Sequence, residues 1–202
     1  MHLLESTSIK NKKLKAIEPM FKSWMKLNDR YNSNVEEDCT YFYGERSNCS
    51  ILCAAAFNAG MVATMEVPII RKKRRGEGVG RGTGRYDMYL CCKGVEYVFE
   101  MKQAWASIEV EEKLKIAEDQ IRSIRKAYVN GVNKVALVFL AQGFHEQRYD
   151  DDALKKHVDE LRKKNYDGVV HYYPVVTRNL HGGGKFSNKV YPGVSILMRV
   201  VD

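Results

Sequence analysis

Asp87, Glu100 and Lys102 bring two carboxylates and an ammonium into one short stretch of the chain. Lys93-Gly94 separates two strand-like runs, Tyr86–Cys92 and Val95–Met101, and a two-residue loop ending in Gly is a hairpin signal. In such a hairpin Cys92 faces Val95, and counting back along both strands sets Asp87 opposite Glu100. Directly opposed residues hold their Cβ atoms about 4.5–5.5 Å apart on one face. Lys102, two positions beyond Glu100, projects from that face as well. Opposed like charges weaken a sheet, and such a conflict with local stability is a mark of a functional site. A hard divalent cation resolves it, because two carboxylates and a main-chain oxygen can hold Mg²⁺ while leaving positions for water and a phosphate oxygen. The ion acidifies water and offsets charge growing on a phosphate. A Lys beside it orients or deprotonates the attacking water, or stabilises the oxyanion. The plain alternative is a surface hairpin with a cross-strand ion pair contributing about 0–1 kcal/mol.

The elements that must position these residues follow an α/β order. Residues 3–27 have the spacing of one or two amphipathic helices interrupted near Pro19, and 28–43 is polar and turn-like. Residues 44–60, rich in Ala and containing Leu and Cys, predict a helix stopped by Gly60 in the C-cap role. Met61–Ile70 reads as a strand in which Pro68 marks an edge or an irregular end. From Glu109 to Val129 the apolar positions 110, 114, 117, 121, 124 and 128 alternate steps of four and three, the pattern of a long helix. The unbroken apolar run after Asn130-Gly131 suits a strand buried on both faces. Strand, helix and buried strand form a βαβ crossover, hence a parallel pairing. Asp150–Lys164 predicts another amphipathic helix capped by its leading aspartates, and 168–176 and 193–201 are closing strands. The expectation is one α/β domain over residues 1–202.

Asp87, twelve residues, then Glu100-Met101-Lys102 on a hairpin followed by a long helix resembles the PD-(D/E)XK nuclease superfamily. The resemblance covers residues 41–141 and implies a restriction-endonuclease-like mixed β-sheet flanked by helices. Its α-β-β-β-α-β core would map to 45–60, 61–70, 85–92, 95–103, 109–129 and 134–141, with 1–40 a helical N-terminal extension. It implies metal binding by Asp87, Glu100 and the main-chain oxygen of Met101, with Lys102 acting on the water. The frequent acid on the first core helix would be Glu45, which lines up with Cys49, Leu52 and Ala56; an acid there also satisfies the helix dipole. Members similar to the RecB and lambda exonuclease branch carry a supporting Gln, here Gln120, with Gln103 its rival. Tyr86 stands where the name-giving Pro would be. The activity implied is Mg²⁺- or Mn²⁺-dependent hydrolysis of phosphodiesters in DNA, with RNA also open as a substrate. A homodimer would suit a double-strand cutter. The rival reading is a catalytically silent nucleic-acid-binding or assembly protein that retains the fold.

Charge supports a polyanionic partner. Lys and Arg number 33 against 25 Asp and Glu, a net of +8. Arg71, Lys72, Lys73, Arg74, Arg75, Arg81 and Arg85 face only Glu77 between positions 71 and 85. Five of the fifteen glycines fall in that segment too. It reads as a surface loop that meets phosphates; the plain reading is a solvated loop. Lys185, after His181-Gly-Gly-Gly184, is a further candidate for holding a strand. Cys49 and Cys53 share a helix face without a second pair at zinc-site spacing, so core packing is their reading. Tyr41, Tyr43, Tyr172 and Tyr173 could stack bases, although packing at the edge of the core explains them better. Five Cys, an odd number, fit reduced thiols in a cytoplasm. No apolar run reaches the length of a membrane helix, so no membrane is expected as a partner.

Overall fold

Alternating and unbroken apolar runs form the strands, and residues recurring every three or four positions form the helices. The computed structural model describes residues 4–35, 39–71, 82–124, 126–145, 150–173 and 189–202. The order is β1 (Leu4–Ile9), α1 (Lys12–Lys15), α2 (Glu18–Asn34), a 3₁₀ turn (Thr40–Tyr43), α3 (Glu45–Asn58), β2 (Val62–Arg71), β3 (Gly82–Cys92) and β4 (Val95–Ala104). A second 3₁₀ turn (Ser107–Glu109), α4 (Val110–Ser123), α5 (Lys126–Val129), β5 (Asn133–Leu140) and β6 (Phe144–His145) follow. The chain closes with α6 (Asp151–Lys163), β7 (Gly168–Tyr173), β8 (Lys189–Val190) and β9 (Val194–Val201). Seven strands form one mixed sheet in the order β1-β7-β9-β5-β4-β3-β2, and β6 pairs with β8 in a small ribbon. Every neighbouring pair in the large sheet is antiparallel except β4 and β5.

The sheet is covered on both faces. Leu14 of α1, Met20, Phe21 and Trp24 of α2 and Leu52, Ala55 and Ala56 of α3 pack over one face, meeting Val135, Leu137 and Phe139 of β5. Val110, Leu114, Ala117 and Ile121 of α4 and Leu161 of α6 pack over the other, meeting Ala136, Val138 and Leu140. β5 is therefore apolar without alternation because neither of its faces meets water, as its parallel pairing with β4 requires. Among the described residues no helix is long and apolar enough to cross a membrane.

The expected order helix, three strands, helix, strand is present in α3-β2-β3-β4-α4-β5. β2, with its Pro68, is the edge strand, and Asp150 Oδ1 accepts the Ala153 N–H at 2.7 Å to cap α6. Three expectations are corrected. Residues 4–9 are a strand paired antiparallel with β7, not a helix, and α2 carries core residues. Pro19 opens α2 instead of interrupting it, because the first turn of a helix has no use for that N–H. The helix then runs through residues expected to be turn-like as far as Asn34. Finally, the long helix of 109–129 divides. Ile124 is extended (φ −66°, ψ 137°) and is buried with Tyr86, Val98 and Val129.

Candidate active site

The hairpin register follows from its turn. Lys93 (φ 50°) and Gly94 (φ 80°) both have positive φ, the conformation whose twist matches that of the flanking strands. Cys92 pairs with Val95, and the ladder continues to Met88↔Phe99. There β3 changes face. Met88, Leu90 and Cys92 lie under α2 and α3, yet Tyr86 is buried on the α4 side with Val98. β2 makes the same switch, since Met65 packs against the first cluster and Val67 against the other. Between them Glu66 takes φ 55°, a left-handed conformation that costs an ordinary residue about 1–2 kcal/mol. The pairs Met65↔Met88 and Val67↔Tyr86 flank it, so the bend falls on Glu66 and Asp87 together. β2 and β3 stay paired as far as Arg71↔Gly82.

The bend changes who satisfies the main chain of β4. Met101 and Gln103 continue the series of amides that β3 would take. Instead, the Met101 N–H donates to Asp87 Oδ2 at 2.6 Å, and the Gln103 N–H donates to the Glu45 carboxylate. Lys102 Nζ donates to the Met101 carbonyl at 2.6 Å, and it lies 3.5 Å from Glu45 Oε1 and 3.7 Å from Asp87 Oδ2. Two carboxylates and a carbonyl thus surround one cation, at the place where backbone groups must find partners other than a strand.

These are not surface ion pairs. Side-chain exposure is 16% for Lys102, 21% for Asp87 and 35% for Glu45. Burial raises the pKa of Glu45 above the usual carboxylate value. The Asp87 charge adds to that, while the Lys102 ammonium and the Gln103 N–H oppose it. The Cys49 thiol, 3.2 Å from Met101 Sδ, is pushed far up, first by burial and then by the Asp87 and Glu45 charges. It is a core residue and not a nucleophile. All five cysteines are free thiols.

Of the residues expected from the sequence, Asp87, Lys102, Glu45 and the main chain of Met101 come together. Glu100 lies next to Met101 on β4 and is 2% exposed. Gln120 sits in the last turn of α4. Gln103 stands beside the cluster itself, its Oε1 accepting from Asn48 Nδ2 at 3.0 Å. Arg85 Nη1 pairs with Glu66 Oε2 at 3.2 Å beside the bend, and Arg71 ends β2. Lys72, Lys73, Arg74, Arg75, Arg81 and Lys185 lie outside the described residues, as does His181-Gly-Gly-Gly184. Tyr41, Tyr172 and Tyr173 are core residues, whereas Tyr43 is exposed.

Sequence reasoning missed Asn48. Fully buried one turn after Glu45, it also donates to the Gly44 carbonyl at 3.0 Å. Its Oδ1 is buried with no hydrogen-bond partner among the described residues. The available signal was its position on the helix face of Glu45.

Neither a family model nor a curated protein matches the chain. A solved structure described as "Crystal structure of SSO0001" is similar at 15% identity over 72% of this chain and 75% of that one, with a TM-score of 0.26. A likeness at that score carries no argument about fold or activity.

Proposed function

We propose that this protein is a metal-dependent nuclease that hydrolyses phosphodiester bonds of DNA on a restriction-endonuclease-like core. The observation that carries the reading is the oxygen cradle around Lys102 Nζ, formed by Asp87 Oδ2, Glu45 Oε1 and the Met101 carbonyl. The order α3-β2-β3-β4-α4-β5 supports the fold assignment.

The donor set fits Mg²⁺ or Mn²⁺. All its donors are hard oxygens, and two carboxylates suffice for an ion that keeps most of its waters. The Met101 carbonyl adds a main-chain oxygen to the two carboxylates. The orphaned Asn48 Oδ1 is an acceptor suited to a bound water. Asp87, Glu45 and the Met101 carbonyl would hold the ion, with Glu100 the further acid that the resemblance assigns. When bound, the ion supplies Lewis-acid stabilisation of charge on the phosphate and a more acidic water.

The chain's own residues do the rest. The Met101 N–H fixes the Asp87 carboxylate and the Gln103 N–H fixes that of Glu45, so neither acid needs to reorganise when a cation arrives. Lys102 is a flexible stem with three donors. It exchanges the Met101 carbonyl for a water or a phosphate oxygen, orienting the one and offsetting charge on the other. The bend at Asp87 leads into the arm that carries the basic segment, whose cations suit the phosphates of a polyanion.

The test is cleavage of plasmid and linear DNA with Mg²⁺, Mn²⁺ or EDTA. Wild type should cut with either metal and stop in EDTA, and Asp87→Asn and Lys102→Ala should each lose at least about 10²-fold. Wild type that cuts DNA and RNA no better than the variants would overturn the reading in favour of a silent nucleic-acid-binding protein.

A further inference from the structure

The cluster is bordered by aromatic rings on both of its chain connections. Lys102 leads through Gln103 and Ala104 to Trp105, and Glu45 is preceded by Gly44 and Tyr43. Trp105 meets Tyr191 edge-on with centroids 5.6 Å apart. Tyr191 meets Phe42 at 6.2 Å, and Phe42 precedes Tyr43. With the Lys102–Glu45 contact these links close a ring, so the rim stays within a few residues of the acids on either side.

The rim is built to stay in place. The Trp105 main-chain N–H donates to Glu109 Oε2 at 2.9 Å, and its carbonyl accepts the Gly143 N–H at 3.4 Å. Behind it Tyr191 lies so close to the backbone that a Cβ on Gly143 would meet its ring at 2.9 Å. Yet Trp105 remains 38% exposed and Tyr43 63% exposed. A large ring such as Trp105, packed on a neighbour but left in contact with water, is suited to receive another flat apolar surface. Beside a site for phosphate chemistry, that surface is a nucleobase.

We infer that Trp105 is a stacking platform for unpaired bases, and that the substrate is single-stranded or locally unpaired nucleic acid. This rests on the nuclease reading and narrows it. Bases inside a duplex keep their faces stacked, whereas a single strand offers one to every exposed ring, whatever its sequence.

The test uses the full chain in EDTA, so that binding is read without cleavage. The probes are an oligo-dT of about 15 nucleotides, an abasic oligomer of equal length and charge, and a blunt duplex. Of the two tryptophans, Trp24 is fully buried, so quenching of the emission reports Trp105. Oligo-dT should quench it and the abasic oligomer should not. Trp105→Ala should weaken oligo-dT about 5- to 100-fold and the abasic oligomer less than about 2-fold, while Trp105→Phe should restore most of the affinity. An unchanged melting midpoint separates this loss from misfolding. Equal binding of oligo-dT and abasic oligomer, unaffected by Trp105→Ala, overturns the platform and leaves the nuclease reading standing, as does binding of the duplex alone. Failure of all three probes to bind, in EDTA and also with Ca²⁺ in its place, overturns both.

Discussion

Where β3 leaves β4, Asp87, Glu45 and Lys102 gather around an open stretch of main chain. Between β7 and β9, His171 Nδ1 and the Tyr173 hydroxyl each lie 2.8 Å from Ser195 Oγ. Both groups put polar side chains into a sheet, but they solve the problem in opposite ways. The second is neutral. Burial holds the His171 pKa down to about 3, helped by the Arg162 and His157 charges, and hydrogen bonds meet part of its polar demand. The first keeps full charges, with one acid pushed toward protonation and a neighbouring strand bent away to make room. A neutral network serves packing and specificity. A charged cluster at a backbone bend gives up local stability, and on the proposed reading what it gains is the binding of metal and substrate.

The sharpest way to separate the two regions is to remove one group from each. Asp87→Asn keeps an oxygen acceptor for the Met101 N–H, so cleavage should fall at least about 10²-fold while the urea midpoint barely moves. Ser195→Ala should do the reverse. It removes the hydroxyl shared by His171 and Tyr173 and should cost about 1–3 kcal/mol, with cleavage per folded molecule unchanged. A Ser195→Ala protein that is fully stable but inactive would erase the distinction.

Acid should act on the neutral region first. His171 and His157 are both depressed when folded, to about 3 and about 4, with burial the main cause in each. The unfolded chain binds protons more readily. Stability is therefore complete above the ordinary His value of about 6.5 and declines as pH falls toward the folded values. Urea unfolding should give a stability lower at pH 5 than at pH 7 by about 2 kcal/mol for each histidine, and His171→Gln should remove about half of that slope. A slope unchanged by the substitution would place the pH dependence elsewhere.

The smallest effect concerns the bend. Glu66→Gly relieves the left-handed backbone but adds chain entropy, so its net change should lie within about 1 kcal/mol. Glu66→Val should be less stable than Glu66→Gly by at least about 1 kcal/mol. Equal melting of the two would show that the bend relaxes without cost.

Much of this arrangement was legible in the residues themselves. The Lys93-Gly94 turn determined the register of β3 and β4, the uninterrupted apolar run determined that β5 is buried on both faces, and the four-three spacing placed α4 behind them. These are local signals, carried by backbone preferences and by which faces must leave water. What depended on distant contacts was not legible. β1 is a strand because β7 pairs with it, and nothing within residues 4–9 records that partner. Asp87 was expected opposite Glu100, but its carboxylate meets the Met101 N–H because two strands bend together at Glu66 and Asp87. Glu45 and Asn48 were only residues on a helix until the packing of α3 brought that helix's first turns against β4. Sequence alone determined which residue types could do chemistry and which strands carry most of them. The tertiary structure decided which of them meet, because a main chain left open by one strand must be satisfied by whatever the rest of the fold brings to it.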